Sequence, residues 1–246
     1  MSKNILKIVA VFIIGTVGGI FADQIFWPYF IEKPFFYEYR LEKNPVYLTE
    51  SKEIIIQENT ALVEAVEKAE KTVVAVRTKT KAGQVLEGSG LVVTSDGLMV
   101  TLADLVPQGS DFSFFIGNSP VLFQVLKRDL AENLALVKIS DAVLTTTSFA
   151  RLDKLKKGER VFLIGSVFGE EDKSSSLSFA AARMVNEGIV KSFDENLIRT
   201  SMLEDGSMAG SPLFNIEGDV LGINTVDSQG NVSAIPIAKI KKFIGM

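Results

Sequence analysis

The side chains able to do chemistry in this 246-residue chain are carboxylates, hydroxyls, lysines and arginines, because it contains no histidine and no cysteine. That inventory excludes Ser-His-Asp and Cys-His catalysis, thiol redox chemistry and the usual zinc sites. Any reaction must run on the remaining groups or on an imported cofactor, and no cofactor or metal pattern is read in the chain. The densest chemical clusters have plain readings. Glu170, Glu171 and Asp172 follow Gly169 as a solvated acidic loop, and the SSSLS stretch from Ser174 reads as turn and strand edge. With 26 basic and 30 acidic residues the net charge is −4, which gives no footprint for nucleic acid.

The elements that must position these groups begin with an apolar segment. Lys3 and Lys7 precede the uncharged run Ile8 to Ala22, IVAVFIIGTVGGIFA, which as a helix spans about 22 Å. Counting from Ile5 with Lys7 snorkelling gives about 27 Å, enough for a slightly thinned bilayer. A cleaved signal peptide has the same layout, but Ile20-Phe21-Ala22 is a poor small-x-small cleavage site, so the reading is an uncleaved anchor through residues 5–27. Basic residues before the span and Asp23, Glu32 and Glu38 after it put the amino terminus inside and the bulk of the chain on the extracytoplasmic side of the cell membrane. Eight aromatics between Phe26 and Tyr39 read either as a juxtamembrane belt or as an arm packed on the folded domain. Gly15 and Gly19 form a small-xxx-small pair that could bring two spans together.

The expected organisation is an anchor over 1–27, an aromatic linker over 28–57 and one folded domain over 58–246. Asn59 or Thr60 can cap a short helix through ALVEAVEKAEK, with Leu62, Val63, Val66 and Ala69 on one face. Strand-like runs then start at Val73, Val85, Leu98, Phe112, Pro120 and Asn133, and a second set at Arg160, Ser176, Glu187, Leu197, Asp219 and Asn231. Twelve short strands with Gly-containing turns at Ser95-Asp96-Gly97 and Glu217-Gly218-Asp219 predict an all-β domain, dividing six and six near residues 150–158. PIAKIKKFI closes the chain as a short helix.

Seven segments, in order, are similar to those of one family. The helix leading into VVAVR is followed by GSGLVVTSDGLMVTLADLV, similar to GSGhhhsxxGhhhTNxHVh, where h is apolar. ENLALVKI resembles DhALhKh, KKGERVFLIGSVFG resembles GxxVxAIGxPxG, and EGIVKS resembles a GIVS strand. MAGSPLFNIEGDVLGINT is similar to NSGGPLhNxxGxVhGIN, and SAIPIAKIKK to FAIPxxxhxx. Together they resemble the HtrA (Deg) branch of trypsin-like serine proteases over roughly Glu58 to Ile244. The resemblance implies two six-stranded barrels with the family's active site in the cleft between them, and it identifies Gly88, Gly90, Gly165, Gly169, Gly210 and Gly222 as backbone requirements of the frame.

Position by position, the same resemblance implies that the triad is missing. The histidine position falls on Asp104, the aspartate position on Asn133 and the nucleophile position on Ala209, with Ser207 and Met208 in the oxyanion loop. Loss of a whole triad costs about 10⁶ in rate, roughly 8 kcal/mol of barrier. Ser211 lies two residues beyond the nucleophile position, and a Ser-Lys dyad would need Lys127 or Lys138 as base. Asp104 with Asn133 is a poor metal constellation and is expected to form a hydrogen-bonded pair. The implied protein is a membrane-anchored, catalytically inactive homologue, without a following PDZ domain, that binds extended or unfolded peptide or an active HtrA paralogue as a scaffold in extracytoplasmic quality control. The alternative, which family membership alone implies, is an active serine endopeptidase using a non-standard nucleophile. Oligomerisation is left open.

Overall fold

A computed structural model describes residues 2–32, 60–140, 144–169 and 181–246. The chain forms two compact units, Met1–Ile56 and Gln57–Met246. Most of the aromatic linker (from residue 33), the acidic run at Glu170 and the serine-rich stretch lie outside the described residues.

In the first unit, α1 (Ser2–Phe21) continues into a wider-coiled helix, Ala22–Glu32. The 25-residue stretch Lys3–Trp27, which contains an 18-residue window of mean hydropathy 2.3, is long and apolar enough to cross a membrane. The helix therefore runs past the apolar run ending at Ala22 and takes in Phe26 and Trp27, the first of the eight aromatics expected beside the membrane.

The second unit opens with α2 (60–69), a single 3₁₀ turn (Glu70–Thr72) and β1 (Val73–Lys79). Ala65 and Ala69 are buried, with Leu62 and Val66 packed beside them. Val63 is 54% exposed, because Ala65 occupies the inward position that a face through Val63 would have required. Next come β2 (Val85–Val92), β3 (Leu98–Leu102), β4 (Asp111–Ile116), β5 (Ser119–Val121), β6 (Phe123–Asp129) and β7 (Leu134–Ile139). They form one sheet in the order β5-β4-β1-β2-β3-β7-β6. The single strand expected from Pro120 is thus two: Val121 pairs with Phe114 of β4, while Phe123 pairs with Ile139 of β7. The chain changes partners at Leu122, so the sheet's two edges are joined through one residue rather than by a hydrogen-bonded seam. Phe123 packs inward on Phe114, ring centroids 4.6 Å apart, which curls the sheet on itself.

The second half contains β8 (Arg160–Phe168), β9 (Ala181–Phe193), β10 (Ile198–Leu203), β11 (Pro212–Asn215), β12 (Val220–Val226) and β13 (Asn231–Pro236). These close a barrel in the order β10-β13-β12-β11-β8-β9. Six strands are present, but not the six expected. The run around Arg183 and the run from Glu187 are one strand, because β8 pairs with β9 without a break from Arg160↔Ile189 to Phe168↔Ala181. The place this frees in the barrel is filled by the four-residue β11.

Strand β8 explains why the two halves share a core. Val161 and Leu163 face the interior of the closed barrel, while Phe162 and Ile164 face the first sheet, and all four are buried. A continuous apolar run is what a strand buried on both faces requires. α3 (Ile237–Ile244) then packs Ile237, Ile240 and Phe243 into the larger core and ends at Gly245, whose φ of 84° is the left-handed cap glycine accepts.

Candidate functional site

The turn carrying Asp104 follows β3 as a single 3₁₀ turn, Ala103–Leu105. Asn133 sits immediately before β7 with φ 51°, a left-handed conformation that Asn tolerates better than most residues. β3 and β7 are neighbours, and their pairing brings the two residues together. Asn133 Nδ2 donates to Asp104 Oδ2 at 2.8 Å, and the Asp104 N–H donates to Asn133 Oδ1 at 3.0 Å. The carboxylate and the amide are therefore bonded to one another.

Ala209 belongs to the connection between β10 and β11. A 3₁₀ turn, Gly206–Met208, starts at Asp205, whose Oδ1 accepts from the N–H of Ser207 at 2.8 Å and also from the Ser207 hydroxyl. The Ala209 N–H donates to Gly206 O at 3.1 Å, and the Met208 N–H to Asp205 O at 3.2 Å. Every backbone donor from 207 to 209 is thus bonded within its own turn. The sequence reading missed Asp205, although the Asp-Gly-Ser spelling of an Asx turn was there to find it.

The turn is pressed against the first sheet. The Ser89 N–H donates to Ala209 O at 2.9 Å, and a Cβ on Gly210 would lie 2.3 Å from Ser89 O. Gly210 has φ 77°, so both its conformation and its neighbour require glycine. Leu105, next to Asp104, lies where Cβ atoms on Gly88 and Gly210 would be, which gathers the Asp104 and Ala209 turns around one packing point. Below them Met208 is buried against Gly165, and Ser211 is fully buried with an Oγ that makes no hydrogen bond among the described residues.

The two lysines considered as bases are engaged elsewhere. Lys138 Nζ donates to Asp96 Oδ2 at 2.6 Å, and this hydrogen bond holds the Asp96 carboxyl below its ordinary range. Lys127 Nζ lies 4.5 Å from the centre of the Phe243 ring. Among the described residues no group of three or more Asp and Glu carboxylates is arranged to hold a metal ion.

Beside the site a polar clamp joins the two halves. Arg183 on β9 donates to the Ser166 hydroxyl and, at 2.5 Å, to Val73 O on β1. The Ser166 N–H in turn donates to Ser89 Oγ at 2.9 Å. Burial pushes the Arg183 guanidinium pKa down, opposed by the charge of Glu70.

Comparison with known proteins agrees with this architecture. A trypsin-like peptidase domain model matches residues 88–223, more than half of the chain. Serine protease HTRA1 of Xenopus laevis is 32% identical over 167 residues, 64% of this chain and 35% of that protein. A probable periplasmic serine endoprotease DegP-like of Rhizobium meliloti is 31% identical over 167 residues, 64% of this chain and 32% of that one. The chain thus spans about a third of the length of these relatives. A solved HtrA-type protease, AlgW with a decapeptide, superposes with a TM-score of 0.62 at 20% identity, covering 75% of this chain and 66% of that one. With its sheet, closed barrel and ordered motifs, the chain belongs to the HtrA/Deg-type branch of the trypsin-like peptidases.

Proposed function

We propose that this protein is a membrane-anchored, catalytically inactive HtrA-type homologue that binds extended peptide or an active paralogue as an extracytoplasmic scaffold. The observation that carries the proposal is the state of the turn at Ala209. Transition-state stabilisation in this fold needs free N–H donors aimed at a developing oxyanion. Here the Ser207 and Ala209 donors are bonded to Asp205 and Gly206, and the chain has no imidazole to activate a hydroxyl. The pair formed by Asp104 and Asn133 supports the same reading, since neither the carboxylate nor the amide is an imidazole able to take a hydroxyl's proton and pass it on.

Peptide binding is supported by the AlgW structure, which was determined with a decapeptide. An extended segment can add to a sheet edge through main-chain hydrogen bonds alone, so this activity survives loss of catalysis. The anchor is read as uncleaved and single-pass, with Lys3 and Lys7 on the cytoplasmic side and the domain outside, where the DegP-like relative is named as periplasmic. The domain boundaries follow as an anchor to residue 27, a linker to 57 and the folded domain from 58.

The test is a fluorophosphonate labelling and cleavage assay on the full chain in detergent, with an unfolded protein as substrate. No labelling and no cleavage are expected. Labelling lost on Ser207→Ala or Ser211→Ala would instead establish an active serine endopeptidase with a non-standard nucleophile.

A further inference from the structure

A groove of about 610 Å³ lies between the turn after Arg151, the β9–β10 turn and α3, and shares no residue with the site around Asp104 and Ala209. This is the size of ligand pockets, roughly 300–1,000 Å³. Its lining is apolar at Leu152, Leu155, Phe193, Ile198 and Pro236. Five charged side chains surround that lining, and three are already neutralised by neighbours. Asp153 pairs with Arg151 at 2.8 Å, Asp194 with Arg199 at 3.3 Å, and Lys239 with Glu132 at 2.6 Å. Asp194 also accepts from the N–H groups of Asn196 and Leu197, so its carboxylate is committed to its own turn. Two charges are left over, Glu195 on the turn and Lys242 on the helix, and neither forms an ion pair among the described residues.

We infer that this groove is a second peptide-binding site, fitted to a short apolar segment flanked by one acidic and one basic residue. The acidic residue meets Lys242, the basic residue meets Glu195, and the apolar side chains between them cover the lining from Leu152 to Pro236. Charge complementarity selects this occupant. An anionic amphiphile would leave Glu195 opposed to its own charge, and a cationic one would leave Lys242 so. The inference stands apart from the proposal for the cleft, since neither site needs the other.

The absence of native cysteine makes the test direct. Ala238 lines the groove and is exposed, so Ala238→Cys carrying a trifluoromethyl tag reports occupancy by fluorine NMR on the full chain in detergent. The probes are acetyl-ELLFK-amide and the same-sign controls acetyl-ELLFE-amide and acetyl-KLLFK-amide. Saturable binding is expected for the mixed-charge peptide and weaker binding for both controls. Lys242→Glu or Glu195→Lys alone should weaken the mixed-charge peptide about fivefold, and the two together should shift the preference to the reversed peptide acetyl-KLLFE-amide. Equal binding of all three peptides, no binding, or indifference to the charge exchange would overturn the proposal. A signal that moves with protein concentration without peptide would assign the groove to a second copy and overturn it equally.

Discussion

Asp205 accepts the Ser207 N–H at 2.8 Å within its own turn, and in the proposed inactive reading that is the donor a substrate oxyanion would otherwise use. On that reading, installing the three side chains of a triad should not by itself produce a protease. Asp104→His, Asn133→Asp and Ala209→Ser together leave the Ser207 and Ala209 donors bonded to Asp205 and Gly206. One missing oxyanion donor costs about 10²–10³ in rate. The triple variant is expected to stay at background in a cleavage assay, and to gain activity only when Ser207→Gly, Met208→Asn and Asp205→Ala are added. Robust cleavage by the triple variant alone would show that the turn opens freely and that its closure is not the obstacle.

Between elements, the β1–β2 pairing sets Arg77 directly opposite Glu87, 3.4 Å apart. Burial pushes the Glu87 carboxyl pKa up, against the lowering pull of Arg77. A carboxyl whose folded pKa is raised keeps its proton longer in the folded state, so its contribution to stability falls as pH rises from the ordinary carboxylate range through the raised value. Glu87→Gln mimics the protonated form. Thermal midpoints should coincide with the parent at about pH 4 and favour the Gln variant at about pH 7, and the opposite trend would show that the Arg77 attraction dominates. Aspartates 194 and 227, whose pKa values turn hydrogen bonds push down, act with the opposite sign but are common to both proteins and cancel in the difference. The same elements show what the sequence could reveal. Short β-rich runs separated by turn residues made β1 to β4 legible. The change of partner at Leu122 was not legible, since PVLFQVL is unbroken by any turn former and the switch is forced only by closure of the sheet. The join through Glu187 was hidden for the converse reason. Asn186-Glu187-Gly188 spells a turn, but pairing along the whole of β8 holds it extended. At the site, family motifs brought out Asp104, Asn133 and Ala209, whereas the capture of the donors by Asp205 depends on a turn geometry that motif comparison ignores.

Across the folded unit, the two halves share an apolar core, and a short polar chain, Arg183 to Ser166 to Ser89, also crosses between them. Only a forked donor can reach both Ser166 Oγ and Val73 O, so lysine cannot replace the guanidinium. Because Ser89 also bonds Ala209 through its backbone, the clamp and the turn at Ala209 lean on the same residue. Arg183→Lys is expected to lower stability by about 2 kcal/mol, the scale of a lost charge-assisted hydrogen bond with a carbonyl left unpaired. Ser89→Ala should cost less, and the double variant should fall short of the sum by about 0.5–1.5 kcal/mol if the three residues act as one network. Urea unfolding followed by far-ultraviolet circular dichroism measures all four corners of this cycle. Strict additivity would mean that Arg183 and Ser89 act independently rather than as one network, leaving the packing of Phe162 and Ile164 on β8 as the larger tie between the closed barrel and the sheet.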